Sequence, residues 1–436
     1  MAQPLDRRAL LLASTAAAAA CTVPGSASSP SRQPQRADAE REAQVARQEL
    51  FAHLQQVAHG QTPITPAERA LRRRRAAELL KLSQAEAVLV EPGPTLTWLT
   101  GITWGRSERL FALVVYAEGS HQWICPSFER SRAQAKVDAS PGLGGEMVEW
   151  AEHEYPYRLL AAELQRRGVQ QLAIENSVRH VHVARLARAW SGRMVLGDAW
   201  LVALRAQKDE HELQLLRRAS ELTQLAVREV ALTLQPGLTG AEVAARMAAA
   251  HEALGMSGSW CLALVGPAAA LPHGDHSPRP VAKGDLLLVD TGATLLEYQS
   301  DTTRTWCVEG EPGVEAQRAW QATRSAQVAA FESIRPGVPC RTVDVAARAS
   351  LERSGFGAGY AALTHRLGHG IGMEGHEDPY FDGGSEVILA PGMTLSNEPG
   401  VYREGSFGVR IEDIVVVTDT GADHFGAWQT DWRSPA

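Results

Sequence analysis

Cysteine is scarce in this chain of 436 residues, which contains five, Cys21, Cys125, Cys261, Cys307 and Cys340. They form no Cys-x-x-Cys pair and no Cys/His cluster at zinc spacing, so a cysteine-ligated metal site is not expected. For the four that follow Cys21, the sequence allows either buried free thiols or disulfides formed in an oxidising compartment.

An excess of positive charge is also absent. The formal net charge of -7 gives no general attraction to phosphate backbones, and nucleic acid is therefore not expected as a partner. The one basic run, Arg72 to Arg75, lies in a stretch with helical spacing, where we expect a solvated helix face.

Neither disorder nor an internal repeat is indicated. Apolar residues make up 44% of the chain and charged residues 21%, values typical of a folded protein. With a prior of roughly 100 to 200 residues per domain, the length predicts two domains plus extensions.

The N-terminal segment, residues 1–21, is predicted to be an export signal rather than part of the fold. Arg7 and Arg8 precede an apolar run, Ala9 to Ala20, that is shorter than the roughly 20 residues needed to span a bilayer. The twin arginine resembles a bacterial twin-arginine signal, and the small residues before Cys21 resemble a lipoprotein processing site. The expected location is therefore the periplasm, or the membrane surface if a lipid anchor is attached to Cys21.

The rest of the chain divides by pattern into three parts. Residues 22–60 begin as a linker rich in Pro, Ser and Gly and continue as a helical extension. Residues 61–204 alternate short apolar strands with helices, which predicts an α/β domain. Residues 205–436 begin with helical spacing and become rich in strands, with two further helices near 314–334 and 342–353.

A predicted hairpin brings two aspartates together. If the chain turns back between Leu295 and Leu296, Asp290 lies directly opposite Asp301, about 5 Å away. Two carboxylates at that distance repel each other unless a cation or a proton lies between them. The pair therefore indicates a metal site or a shared proton.

A second predicted hairpin repeats this arrangement with glutamates. A turn centred on Gly405 sets Glu398 opposite Glu412. Together the two hairpins offer four carboxylates, which is a donor set suited to a dinuclear metal site.

A separate histidine segment can add an imidazole to these acids. His365 and His369 have the i, i+4 spacing of a zincin helix, but Gly368, Gly370 and Gly372 argue against a helix there. Small residues around His369 instead allow the backbone and a metal to approach closely.

These segments resemble those of the pita-bread metallopeptidases. The run Asp290–Thr305 is similar to the family's Asp-x-Gly-Ala…Ser-Asp-x-Thr-Arg-Thr segment, and GHGIG, NEPG and GVRIED motifs follow in the family's order from Gly368, Asn397 and Gly408. The N-terminal stretch TWLTGITWGRSERLF resembles the accessory domain of prolidases and Xaa-Pro aminopeptidases, which favours the proline-directed branch.

The resemblance implies both a fold and a metal content. The fold class is α/β (α+β), with a C-terminal pita-bread (creatinase/aminopeptidase) fold and a smaller α/β N-terminal creatinase-like domain. It also implies two divalent ions, Mn²⁺, Co²⁺ or Zn²⁺, which activate the water that attacks the scissile carbonyl. The ligands carried over are Asp290, Asp301, His369, Glu398 and Glu412, with Asp301 and Glu412 bridging the ions.

The resemblance further implies roles in catalysis. Glu398 relays a proton, and His273 and His376 contact the substrate and steady the tetrahedral intermediate. Arg410 is expected to orient Glu412 or the substrate, with a surface salt bridge as the alternative.

Two positions depart from the family pattern. Glu297 stands where the family often has Gly, and Tyr380 stands where some prolidases carry Arg. Because that Arg suits a substrate carboxylate, the second departure leaves both a dipeptide and a longer peptide as possible substrates.

The predicted function is that of a metal-dependent exopeptidase, which hydrolyses the N-terminal Xaa-Pro bond of short peptides. A creatinase-like or lyase-like enzyme acting on a small non-peptide molecule is the alternative within the same fold, and a non-catalytic binding protein is a third. The expected partners are short proline-containing peptides and a second copy of the chain in a homodimer.

Overall fold

The computed structural model describes residues 32–197, 200, 202–275 and 278–436. The predicted export signal and Cys21 lie outside these residues. The chain divides into two compact units, Met1–Ala46 and Arg47–Ala436, and helix α1 spans Arg32–Leu50. Within the described part of the chain, no helix has the length and apolarity required to cross a membrane.

The N-terminal part of the second unit is an α/β domain built on one six-stranded sheet. Its elements are α2 (Pro66–Leu82), β1 (Ala87–Val90), α3 (Pro94–Thr100), β2 (Ala112–Tyr116), β3 (His121–Pro126), α4 (Arg130–Asp138), β4 (Glu146–Trp150), α5 (Pro156–Arg166), β5 (Gln171–Ile174), α6 (His180–Leu186) and β6 (Arg193–Leu196). The strand order is β4-β3-β2-β1-β5-β6, with β1 parallel to β5 and antiparallel to β2.

Side-chain alternation in the central strand divides the core of this domain into two layers. Val88 and Val90 pack in the cluster that contains residues of α2, α3 and α4, whereas Ala87 and Leu89 pack in the cluster that contains residues of α5 and α6. Because successive side chains of a strand point to opposite faces, an entirely apolar strand such as β1 is stable only when both faces are covered.

The C-terminal part of the second unit carries three smaller sheets and four long helices. Its elements are α7 (Glu210–Ala231), α8 (Gly240–Ala253), β7 (Ser257–Val265), β8 (Leu286–Leu295), β9 (Tyr298–Gln299), β10 (Thr302–Cys307), α9 (Val314–Ser333), α10 (Cys340–Arg353), β11 (Gly368–Gly370), β12 (Glu377–Phe381), β13 (Thr394–Asn397), β14 (Gly400–Arg403), β15 (Phe407–Arg410), β16 (Asp413–Val417) and β17 (Ala422–His424). One sheet has the order β10-β8-β7 with β9 paired to β8, a second has the order β12-β11-β13-β16-β17, and β14 pairs with β15.

Three helices begin with the same local signal. The side chain of the residue before the helix accepts a hydrogen bond from the third helical N–H, and the glutamate at that third position reaches back to the preceding backbone N–H. This capping box is formed by Thr65 with Glu68 in α2, by Asp209 with Glu212 in α7, and by Thr239 with Glu242 in α8.

The cysteines that the structure describes are free thiols. Cys125, Cys307 and Cys340 are buried, and Cys261 is half-buried. Burial raises the pKa of the Cys125 and Cys340 thiols to about 12, so both remain protonated at neutral pH. Of the two alternatives that the sequence allows, the structure therefore shows buried free thiols.

The prediction of a solvated basic run in α2 is wrong for two of its four arginines. Arg72 and Arg73 are buried, with exposed fractions of 4% and 8%, whereas Arg74 and Arg75 are exposed. Arg72 donates a hydrogen bond of 3.2 Å to the carboxylate of Asp209, 137 residues along the chain at the start of α7. The run therefore joins the N-terminal domain to the C-terminal one.

The hairpin of β8 with β9 and β10 has an unfavourable turn. Leu296 and Glu297 have φ values of +47° and +80°. A type I′ turn requires positive φ at both central residues, but Leu and Glu rarely adopt it. The Glu297 carboxylate accepts a hydrogen bond of 2.7 Å from Arg69 Nη2 in α2. An ion pair with the N-terminal domain thus stabilises Glu297 in a backbone conformation that Glu rarely adopts.

Replacement of Glu297 tests the cost of this turn. Glu297→Gly and Glu297→Ala both remove the ion pair with Arg69, but only Gly adopts a φ of +80° readily. We expect Glu297→Ala to be less stable than Glu297→Gly by about 1 kcal/mol, measured as the free energy of unfolding in urea. As a control, Ala should be at least as stable as Gly at Glu404, an exposed turn residue without a positive φ. Equal stabilities of the two Glu297 variants would contradict this account.

Candidate metal centre and active site

The first predicted acid pair lies on the β8–β10 hairpin, but in a different register. The strands pair Asp290 with Thr303 rather than with Asp301, because the turn at Leu296 and Glu297 lies one residue later than predicted. The predicted pairing is therefore wrong by two residues. Since side chains alternate with a period of two, this shift keeps both aspartates on one face of the hairpin.

The register predicted for the second hairpin is confirmed. Strands β14 and β15 pair Gly400 with Arg410, and Gly405 in the turn has a φ of +71°. Glu398 and Glu412 continue this register just beyond the paired residues. The two glutamates therefore lie together at the open end of the hairpin.

His369 lies on β11, a short strand between β12 and β13. A Cβ atom on Gly368 would lie 1.9 Å from the Ser396 carbonyl oxygen, and one on Gly370 would lie 2.4 Å from the Glu377 carbonyl oxygen. Only glycine fits between the neighbouring strands at these two positions. The rejection of a zincin helix is thereby confirmed.

The five predicted ligands converge on one place. Ligand atoms of Asp290, Asp301 and Glu412 lie within 4.8 Å of one another. Ligand atoms of His369, Glu398 and Glu412 also lie within 4.8 Å of one another. Because Glu412 belongs to both groups, the arrangement offers two adjacent positions for a cation.

Several oxygen atoms of this cluster are buried without a hydrogen-bond partner. They are Asp290 Oδ1, Asp301 Oδ1 and Glu412 Oε1. A buried charged oxygen without a partner costs several kcal/mol, and a cation removes that cost. Four carboxylates with one imidazole fit divalent ions of the Mn²⁺, Co²⁺ or Zn²⁺ kind. The residues present therefore suit the metals that the sequence implies.

The pKa values of the acids show how strongly they interact. Burial, together with the charge of Glu412, raises the pKa of Asp301 well above its usual value. Burial and the charge of Glu398 raise the pKa of Glu412 in the same way. Burial also acts to raise the pKa of Glu398, but the hydrogen bond to His369 and the charges of His369, His365 and Arg410 together outweigh it and lower this pKa to about 2. The acids cannot all be ionised near neutral pH unless a cation joins them.

Neighbouring groups orient the His369 ring. Its Nδ1 atom hydrogen-bonds to the Gly370 carbonyl oxygen at 3.1 Å, while its Nε2 atom lies 3.3 Å from Glu398 Oε1. A backbone partner on one ring nitrogen leaves the other available as a metal ligand.

Two hydroxyl groups donate hydrogen bonds to the glutamates, and neither was predicted from the sequence. Ser396 Oγ accepts a hydrogen bond from the His369 N–H and donates one of 3.0 Å to Glu398 Oε1. Thr303 Oγ1 donates a hydrogen bond of 2.7 Å to Glu412 Oε2. Their spacing in the sequence could have indicated this role, because each lies two residues from an acidic ligand, Ser396 from Glu398 and Thr303 from Asp301.

Arg410 is buried, with an exposed fraction of 4%, and is not a surface salt bridge. Its Nη2 atom donates a hydrogen bond of 2.6 Å to Asp290 Oδ2, and its Nη1 atom donates one of 3.1 Å to the Tyr402 hydroxyl. The Tyr402 hydroxyl in turn pairs with His365 Nε2 at 2.8 Å. Arg410 was expected to orient Glu412 or the substrate. Its direct carboxylate partner is Asp290, and its Nε atom also donates a hydrogen bond of 3.3 Å to Thr303 Oγ1, the hydroxyl that donates to Glu412.

A cavity of about 750 Å³ opens onto the cluster, and all eight predicted site residues line it. His376 is exposed, and its ring stacks on that of His369 with centroids 3.8 Å apart. Partial burial of the ring and the charge of His369 lower the pKa of His376, which favours a neutral imidazole. The apolar side chains of Trp260, Leu262 and Pro272 form another part of the wall. His273 also faces this space.

Four carboxylates and an imidazole that converge at one cavity form a ligand set typical of metal-dependent hydrolases. Comparison with known proteins agrees with this assignment. Residues 214–419 match Metallopeptidase family M24, and residues 72–207 match the Creatinase/Prolidase N-terminal domain. The chain belongs to metallopeptidase family M24.

Individual relatives extend this similarity over most of the chain. "Probable dipeptidase PepE" of Mycobacterium tuberculosis is 40% identical over 337 residues, which cover 77% of this chain and 88% of the relative. The crystal structure of dipeptidase PepE from Mycobacterium ulcerans superposes with a TM-score of 0.78 at 35% identity, covering 84% of this chain and 98% of that one. The prolidase from Thermococcus sibiricus gives a TM-score of 0.72 at 28% identity, covering 83% and 97%. These matches confirm the predicted fold class and the prediction of a hydrolase.

Removal of one acid should stabilise the metal-free protein. Asp301→Asn deletes the charge that burial and Glu412 disfavour, so we expect its free energy of unfolding in chelator to exceed that of the parent by about 1 to 2 kcal/mol at pH 8. Added Mn²⁺ should stabilise the parent and not the variant, since only the parent keeps the full ligand set. Urea unfolding measures both effects.

The matched control is Asp419→Asn, which removes an exposed charge from the turn between β16 and β17. This variant should match the parent with and without Mn²⁺. An Asp301→Asn protein less stable than the parent in chelator would show that mutual repulsion does not dominate the cluster.

Proposed function

We propose that the chain is a metal-dependent exopeptidase that hydrolyses the N-terminal Xaa-Pro bond of short peptides with two divalent ions. One observation carries the proposal: two overlapping ligand groups share Glu412, and three of their buried carboxylate oxygens have no protein partner. A structural ion-pair network would have satisfied those oxygens with protein donors.

From the ligand groups we assign the residues to two ions. Asp290, Asp301 and Glu412 would hold one ion. His369, Glu398 and Glu412 would hold the other. Divalent ions bound in this way supply Lewis acidity and an activated water at neutral pH.

The protein side chains then bind the substrate and move the proton. Glu398 lines the cavity as a member of the second ligand group, and we assign to its carboxylate the proton of the attacking water. His376 and His273 are exposed in the cavity and can donate hydrogen bonds to the scissile carbonyl oxygen or to the leaving group.

The cavity wall supports a preference for proline. Trp260, Leu262 and Pro272 offer apolar surface beside the ligand cluster, and a pyrrolidine ring is a compact apolar group. An imide bond to proline has no N–H, so a dedicated site need not provide an acceptor for one. Relatives described as dipeptidases and as prolidases make short Xaa-Pro peptides the first substrates to test.

A reloading assay tests this function. Protein stripped with chelator and reloaded with Mn²⁺, Co²⁺ or Zn²⁺ should cleave Leu-Pro faster than Leu-Ala, and the apo protein should cleave neither. Turnover of creatine without turnover of any peptide would contradict the proposal and favour a small-molecule enzyme. Product analysis by chromatography separates these outcomes.

Asp301→Ala tests the role of the cluster. The variant should lose metal binding, measured by calorimetry, and should lose turnover by a factor of about 1000 or more, because Asp301 belongs to the first ligand group. Asp419→Ala, which removes an exposed aspartate of the same size, should keep both properties. Activity retained in Asp301→Ala would contradict the assigned role.

A further inference from the structure

A second pocket, of about 210 Å³, lies in the N-terminal domain and is separate from the metal cluster. The first two turns of α2, the end of α3 and the segment that follows α4 line it. Arg69 and Arg73 are its charged residues, and it shares no lining residue with the cavity at the metal cluster. The inference drawn from this pocket is therefore independent of the proposed peptidase function.

Three arginines of α2 donate hydrogen bonds to carbonyl oxygens in the last turn of α3. The donors are Arg69, Arg72 and Arg73, and the acceptors are Thr97, Trp98 and Leu99 in the same order. The last carbonyl groups of a helix have no partner within the helix, and together they amount to roughly half a negative elementary charge. The end of α3 therefore accepts hydrogen bonds from three guanidinium groups but cannot balance their three positive charges.

Carboxylates from the C-terminal domain balance two of these three charges. Arg69 Nη2 lies 2.7 Å from a carboxylate oxygen of Glu297. Arg72 Nη2 lies 3.2 Å from a carboxylate oxygen of Asp209. The remaining charge is that of Arg73.

The charge of Arg73 has no counter-charge although its side chain is buried. Its Nη1 atom donates a hydrogen bond of 2.7 Å to the Leu99 carbonyl oxygen, and its Nη2 atom donates one of 3.3 Å to that of Gly142. In the described part of the chain, no carboxylate lies within ion-pair distance of this guanidinium. Burial and the charges of Arg74 and Arg69 lower the pKa of Arg73, so its surroundings disfavour the cation. An anion in the pocket would remove this disadvantage.

We propose that the pocket beside Arg69 and Arg73 binds a small oxyanion such as phosphate or sulfate. A guanidinium group presents several N–H donors in a planar fork that matches the oxygen spacing of these anions. The volume of the pocket lies below the range of about 300 to 1,000 Å³ that is typical of sites for larger organic ligands. A small ion therefore fits, and a peptide or a nucleotide does not.

Equilibrium dialysis with labelled sulfate tests this site on the Mn²⁺-loaded protein at constant ionic strength. The parent should bind sulfate saturably, and unlabelled phosphate should displace it. Arg73→Met should weaken the binding by roughly tenfold to a hundredfold, the loss expected when a charged hydrogen-bond donor is removed. Arg73→Lys should weaken it less, because lysine keeps the charge but lacks the planar fork.

Arg74→Met is the matched control, because Arg74 is the adjacent arginine, is exposed and does not line the pocket. It should bind sulfate as the parent does. Three results would overturn the inference: no saturable binding to the parent, equal binding by the parent and the Arg73 variants, or displacement by chloride as readily as by phosphate. If Arg73→Met does not fold, Arg73→Lys is compared with Arg74→Lys, and equal affinities of these two variants would overturn the inference as well.

Discussion

Mutual repulsion among four carboxylates, two of them buried and two half-buried, is the constraint on which the rest of this structure depends. Asp290, Asp301, Glu398 and Glu412 would move apart if flexible segments carried them. Instead they sit on or beside paired strands, where backbone hydrogen bonds fix their positions. The free energy that the framework supplies keeps the acids close enough for a bound cation to be the favourable way to relieve their repulsion.

The acids divide their oxygens between protein and cation. Asp290 uses Oδ2 to accept a hydrogen bond from Arg410 and leaves Oδ1 without a partner. Glu412 uses Oε2 to accept one from Thr303 and leaves Oε1 without a partner. In these two carboxylates one oxygen is thus anchored while the other is available. Such anchoring reduces the side-chain reorganisation that is needed when a cation binds. Acids with free side chains would have to be ordered at that moment.

The difference between the two hairpins shows how much of this site can be predicted from sequence. The register of the second hairpin follows from Gly405, since glycine at a positive φ is a local signal. The first hairpin has Leu296 and Glu297 in its turn, and neither residue signals a positive φ. Glu297 is paired instead with Arg69, more than 200 residues away in sequence. The buried state of Arg72 was missed for the same reason, because its partner Asp209 is distant in sequence. Local turn signals and motif spacing can be predicted from the sequence, whereas contacts between residues of different domains cannot.

These distant contacts give the N-terminal domain a part in the site although it supplies none of the predicted ligands. Tyr298, next to the strained turn, is fully buried and donates a hydrogen bond of 2.8 Å to Glu212 of α7. Glu212 also accepts one of 2.8 Å from Trp98 of α3 and lies 3.3 Å from Arg72 of α2. The tip of the hairpin that carries Asp290 and Asp301 is therefore held by helices of both domains. A turn that violates local preference persists where surrounding contacts over-determine it, and here those contacts fix the strands on which the two aspartates depend.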